Sequence, residues 1–192
     1  MKKALTPSFE NFYDKIKEIL ESARNRSYMA VNFEMVQAYW NIGRSIVEEE
    51  QAGRERAEYG KYLLSNLSIR LTAEYGRGFD YRNLAYMRQF YQTFPNMNAL
   101  RSELSWTHYR ILIRVDREQA REFYLQECIE GNWSTRQLER QINSLYFDRI
   151  LMSSKKGRQL VKKEADDKKE VMQPGHIIKD PYVLEFLKLN PN

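Results

Sequence analysis

The chain has 192 residues, 42% of them hydrophobic and 30% charged, enough apolar material for one full core or two small ones. No run of about 18 apolar residues occurs, MKKALTPSFENF lacks the apolar stretch of a secretory leader, and Cys128 is the single cysteine; a membrane span, a leader, an internal disulfide and a thiolate metal site are therefore not expected. The net charge of +5 is compatible with a polyanionic partner, and the lone cysteine suits a reducing, cytoplasmic setting.

Apolar spacing predicts helices along most of the chain. Phe9, Phe12, Ile16, Ile19 and Leu20 mark one over residues 8–25. Tyr28, Val31, Met35, Tyr39, Ile42 and Ile46 mark a near-heptad one over 27–50. After the break QAGRERAEYG, Leu63, Leu64, Leu67 and Leu71 carry a third over 59–75. YGRGFD reads as a turn, Asp80 caps a fourth helix and Pro95 ends it. Ser105 caps a fifth within LSWTHYRILIRV, residues 117–130 form a sixth closed by Gly131, and Ser134 caps a seventh reaching Leu151. No alternating strand pattern precedes residue 176. The expected fold is all-α, a multi-helix domain over residues 1–150 with helix-turn-helix-like units, followed by a charged linker.

The change at residue 150 shows in the basic side chains. From Arg24 to Arg149 there are seventeen arginines and one lysine, Lys61; after residue 150 there are eight lysines and one arginine, Arg158. Arginine is the bidentate, stacking residue and lysine a solvated point charge, so the switch predicts a boundary. Residues 151–176 are expected to form a solvated linker or an exposed helix with a loose end. The last segment, residues 177–192, starts a new element, since Asp180-Pro181 is an N-cap followed by a proline at the first helical position.

A repeat lies inside the helical part. GFDYRNLAYM from Gly78 and NWSTRQLERQ from Asn132 align without gaps at an offset of 54 residues, pairing Phe79 with Trp133, Asp80 with Ser134, Arg82 with Arg136, Asn83 with Gln137 and Leu84 with Leu138. Each copy places an aromatic before the N-cap and a leucine at the fourth helical position, the two halves of a hydrophobic staple. A stapled helix after a tight turn, with arginine in its first turn, is the arrangement of a helix-turn-helix recognition helix. Leu84, Met87 and Tyr91 in the first copy, and Leu138, Ile142 and Leu145 in the second, are expected to face inward. Arg82, Tyr86 and Gln89 in the first copy and Arg136, Arg140 and Asn143 in the second are expected to lie on another face; Arg82, Gln89, Arg136, Arg140 and Asn143, supported by Arg77 and Arg88, are the candidate nucleic-acid-binding residues. Helical bundles that bind nothing use the same turns.

Other chemistry has little support. His108 and His176 stand far apart without a ligand cluster, and no GxGxxG, Walker A or nucleophile elbow occurs. Cys128, among Phe123, Tyr124, Leu125 and Ile129, reads as core, and YGRGF follows a helix rather than a strand, which makes it a structural turn. No metal, cofactor or catalytic residue is expected.

Several long motifs in order, from YWNIGRSIVEEEQAGRERAEYGKYLLSNLSIRLTAEYGRGFDYRNLAYMRQFYQTFP through LSWTHYRILIRV and REFYLQECIEGNWSTRQLERQI to KDPYVLEFL, resemble the YhcG family of bacterial proteins. The resemblance covers residues 30–150 and resumes at 179. It implies an all-helical N-terminal domain, described in that family as helix-turn-helix-like, joined to a PD-(D/E)XK-type nuclease domain. DPYVLEFL resembles the segment that opens that nuclease, whose catalytic strands are absent from the sequence. Asp80 departs from the serine more usual there, and its charge would repel phosphate. The functional expectation is a DNA-binding or targeting module of a nuclease, not itself an enzyme. DNA is the expected partner and no membrane is involved. The rival is a protein-interaction or dimerisation module, supported by the stripe from Tyr28 to Ile46 and by the 13 Tyr, 9 Phe and 3 Trp.

Overall fold

The computed structural model describes residues 7–52, 59–167, 169–172 and 181–187. The fold is all-α, with nine helices among the described residues: α1 (Pro7–Ala52), α2 (Tyr59–Tyr75), α3 (Tyr81–Thr93), α4 (Trp106–Leu112), α5 (Glu118–Gly131), α6 (Thr135–Asn143), α7 (Tyr146–Met152), α8 (Lys155–Asp167) and α9 (Pro181–Phe186). Short 3-10 turns at Arg77–Phe79 and Met97–Ala99 flank α3.

The first two expected helices are one, because nothing between them stops a helix. The Ser27 hydroxyl donates back to the Ala23 carbonyl at 3.1 Å, and Arg26 reaches Ser22 at 2.7 Å. The near-heptad stripe is interior. Met35, Tyr39 and Ile46 are buried, and Val31 and Ile42 pack against the core. That surface is already covered by the chain's own helices, chiefly α3. The α1–α3 crossing is close enough to require Gly43, whose added Cβ would lie 2.0 Å from the Met87 carbonyl oxygen.

The seventh expected helix is two. Leu145 takes a left-handed conformation (φ 53°) between α6 and α7 and is exposed, contrary to the inward orientation expected of it. The bend turns Tyr146, Phe147 and Ile150 into the core, where an unbroken helix would have carried them around the outside.

Trp106 centres the core, edge-on to Tyr39 at 5.1 Å and Phe90 at 5.4 Å, with Tyr109 against Phe90 at 4.7 Å. Aromatic pairs in these tilted geometries contribute about 0.5–1.5 kcal/mol each beyond their buried area. Two polar ties fix the Phe94–Leu104 segment to α1: Trp40 Nε1–H donates to the Phe94 carbonyl at 2.6 Å, and Asn32 Nδ2–H to that of Leu104 at 2.9 Å.

Beyond residue 150 the chain returns to the body. α8 is an exposed helix with Ala165 buried and packs on α7. Its end is not loose: Ser134 N–H donates to the Glu170 carbonyl at 2.8 Å, Met172 N–H to that of Asn132 at 2.9 Å, and Trp133 and Val171 form an isolated antiparallel bridge. α9 begins at Pro181 as its residue type suggests; Asp180 lies outside the described residues. Val183 is buried, and α9 rests on α1 and on the Arg77–Phe79 turn.

Candidate nucleic-acid interface

The two copies of the repeat fold alike from the N-cap onward. Asp80 Oδ1 accepts from Asn83 N–H at 2.7 Å, and Ser134 Oγ from Gln137 N–H at 3.2 Å. Leu84 and Leu138 are fully buried; Trp133 is buried and Phe79 partly so. The third helical position is the one the sequence undersold. Asn83 and Gln137 are buried amides tying each helix to its surroundings. Asn83 donates to the Gly78 carbonyl and accepts from Trp106 Nε1–H at 3.3 Å, while Gln137 donates to the Ala165 carbonyl at 3.4 Å and accepts from Arg140.

The turns before the two caps differ. Gly76 (φ 102°) leads into the 3-10 turn Arg77–Phe79. α5 instead closes with Asn132 left-handed (φ 48°), Trp133 N–H donating to the Cys128 carbonyl and Asn132 N–H to that of Ile129, the paired bonds of a Schellman motif. Asparagine is the usual non-glycine residue in that position.

α4 joins the two units. Trp106 reaches Asn83 in the first, and His108 reaches the second. His108 stands where a capping box ordinarily has Glu or Gln: its Nδ1 accepts from Ser105 N–H at 3.2 Å and lies 2.8 Å from the Ser105 hydroxyl. That assigns the proton to Nε2, which donates to the Trp133 carbonyl at 3.0 Å. Burial pushes the imidazole down to about 4, with the Trp133 carbonyl opposing the shift. His108 is thus a neutral structural linchpin. Its spacing from Ser105, the three residues of a capping box, was the signal available in the sequence.

The candidate binding residues fall into three groups. Arg77 and Arg82 are exposed at the start of the first unit, and Arg136 is exposed at the start of the second, 84% of its side chain accessible and 3.8 Å from Glu170. Arg140 and Asn143 follow along α6; Asn143 lines a shallow groove of about 360 Å³ with Arg114 and Glu139, which pair at 3.4 Å. Arg88 and Gln89 are engaged within the fold: Arg88 pairs with Glu50 at 2.7 Å, and Gln89 donates to the Ile113 carbonyl at 3.1 Å.

One cluster has no counterpart in the sequence reading. Arg110 lies over the Tyr86 ring at 4.8 Å and the Tyr182 ring at 5.0 Å, and donates to the Tyr182 hydroxyl. Arg82 also lies over the Tyr86 ring, at 5.8 Å. Hydrogen bonding to Arg82 holds the Tyr86 phenol below its ordinary value. The cluster joins α3, α4 and α9, 72 residues separating Arg110 from Tyr182, which is why no local pattern announced it.

Cys128 is buried, and burial pushes its thiol up, away from the thiolate form. Among the described residues no three His, Cys, Asp or Glu side chains are grouped to share a metal ion, and no helix is long and apolar enough to cross a membrane.

Residues 15–149 match the family described as the DUF1016 N-terminal domain. The chain belongs to that family. It is also 34% identical over 216 residues to the protein of Escherichia coli (strain K12) named "Putative nuclease YhcG", an alignment taking in 96% of this chain and 57% of that protein. The motifs that resemble YhcG therefore reflect kinship. No solved structure matches the chain. Both stapled units of this DUF1016 N-terminal domain lie within the matched residues.

Proposed function

We propose that this chain is the DNA-binding and targeting module of a nuclease, with no cleavage chemistry of its own. The observation that carries the reading is the repeated N-terminal device, in which a capped helix start presents an exposed arginine at its second position, Arg82 in α3 and Arg136 in α6. Free N–H groups at a helix start favour phosphate, and arginine there adds a full charge with bidentate geometry. The kinship with a protein named as a nuclease supplies the context.

The two units are not equal. Asp80 leaves a carboxylate at the cap of α3, whereas the cap of α6 is the neutral Ser134 hydroxyl and the Glu170 carboxylate is 3.8 Å from Arg136, at the edge of contact. The second unit is the stronger phosphate site, with Arg136, Arg140 and Asn143 as its contacts and Arg77 and Arg82 assisting from the first. Arg88 and Gln89 are left to the fold. The test is fluorescence anisotropy of a labelled duplex titrated with the chain across a salt series. Binding that weakens linearly in log K against log salt is expected. No binding at low salt, or binding indifferent to salt, overturns the proposal.

A further inference from the structure

No residue in the first five turns of α1 is buried in the described structure. Every residue from Phe9 to Ser27 is exposed, and packing begins at Tyr28 and Met29. On that free stretch Phe9, Phe12, Tyr13, Ile16, Ile19 and Leu20 form one apolar stripe at three- and four-residue spacing, each 40–60% exposed. The stretch continues a helix whose other half is packed, and a stripe this wide leaves a large apolar face wetted. This region is separate from the stapled units and from the stripe beyond Tyr28 that the core absorbs.

We infer that this stretch pairs antiparallel with the same stretch of a second copy of the chain. The area approaches what a stable pair needs. The exposed half of three aromatic side chains of about 150–250 Å² each supplies about 300 Å² per chain, and Ile16, Ile19 and Leu20 add to it, which brings the pair toward the lower edge of a specific interface, about 1,200 Å² in total. Two features select the antiparallel arrangement. The bulky end, Phe9 and Phe12, then meets the small end around Ala23 in the other copy, filling space at both ends. The folded bodies, which start at Tyr28, stand at opposite ends of a helix pair about 30 Å long; parallel pairing would force them to the same level.

The inference stands apart from the DNA reading, and its test uses no DNA. Sedimentation of the full 192-residue chain over a concentration series is expected to show a monomer–dimer equilibrium. Ile16→Glu combined with Ile19→Glu is expected to leave a monomer throughout, with the thermal melt of the body unchanged, because both side chains are exposed. Orientation is read by cysteine pairs: Phe12→Cys mixed with Ala23→Cys should cross-link under mild oxidation, and Phe12→Cys alone should not. The buried Cys128 does not compete. A wild-type chain that stays monomeric at the highest concentration overturns the inference. So does a dimer that survives the double substitution, or one that cross-links through Phe12→Cys alone.

Discussion

Acidification should loosen the joint between the two stapled units through His108. The ring is 1% exposed, and its contacts are all made by the neutral form: Nδ1 faces two donors on Ser105, and Nε2–H reaches the Trp133 carbonyl. A proton on Nδ1 would set donor against donor in a buried site. Burial therefore holds the folded-state value near 4, against an ordinary value of 6.5. The folded pKa is depressed, so the unfolded chain takes up the proton first. The contribution is complete above pH 6.5, declines as pH falls through 6.5, and levels off below 4. A difference of about 2.5 pKa units corresponds to about 3 kcal/mol, at no more than about 1.4 kcal/mol per pH unit. Glu127 works in the opposite sense, because burial raises its carboxyl. The assay is accordingly a difference: urea unfolding of wild type and His108→Gln from pH 7.5 to pH 4. Glutamine keeps the capping-box role and does not titrate, and every other group cancels. The variant should be less stable at pH 7.5, and the gap should close by about 3 kcal/mol on the way to pH 4. Parallel curves would refute the argument.

Further outcomes follow from the same contacts. Trp133→Ala should destabilise by about 3–5 kcal/mol and Phe79→Ala by less, since Phe79 is only partly buried, as read by the urea midpoint; equal losses would mean that the staple rather than burial sets the cost. In hydrogen exchange the Ser134 and Met172 amides, which pair across the return from α8, should be protected together well beyond the exposed face of α8; rapid exchange at Met172 would remove the tie. With Mg²⁺ or Mn²⁺ the chain should leave plasmid DNA intact, and EDTA-sensitive cutting that tracks the pure protein would contradict this.

Local rules carried far in this sequence. Caps at Asp80, Ser105 and Ser134 and the start at Pro181 stand where residue types put them, because each depends on a few neighbouring atoms; the stop expected at Gly131 falls one residue later, on left-handed Asn132. The repeat was legible for the same reason. Two helix boundaries were misplaced for different reasons. No breaker stands between residues 25 and 27, so α1 runs on, with Ser27 bonded back to Ala23. At Leu145 tertiary packing overrode local preference, the left-handed turn letting Tyr146 and Phe147 be buried. The lysine-rich run after residue 150 reads as solvent-exposed, and α8 mostly is, yet backbone bonds from Glu170 and Met172 that no side-chain pattern encodes bring it home. In the site, exposure of Arg82 and Arg136 followed from helix periodicity. The engagement of Arg88 by Glu50 and of Arg110 by Tyr182 did not, since the partners are 38 and 72 residues away.

The DNA-binding claim rests most heavily on Arg136, and the most direct measurement is the salt dependence of duplex affinity for wild type, Arg136→Gln and Arg82→Gln, alongside their melting temperatures. Arg136 is largely exposed, so its loss should leave the melt unchanged. If it holds a phosphate, Arg136→Gln lowers the slope of log K against log salt by about 0.9. Arg82→Gln, beside the Asp80 carboxylate, has the smaller effect on affinity. Affinity and slope unchanged in Arg136→Gln, or binding lost only together with the fold, would contradict the account and leave the chain as an interaction module.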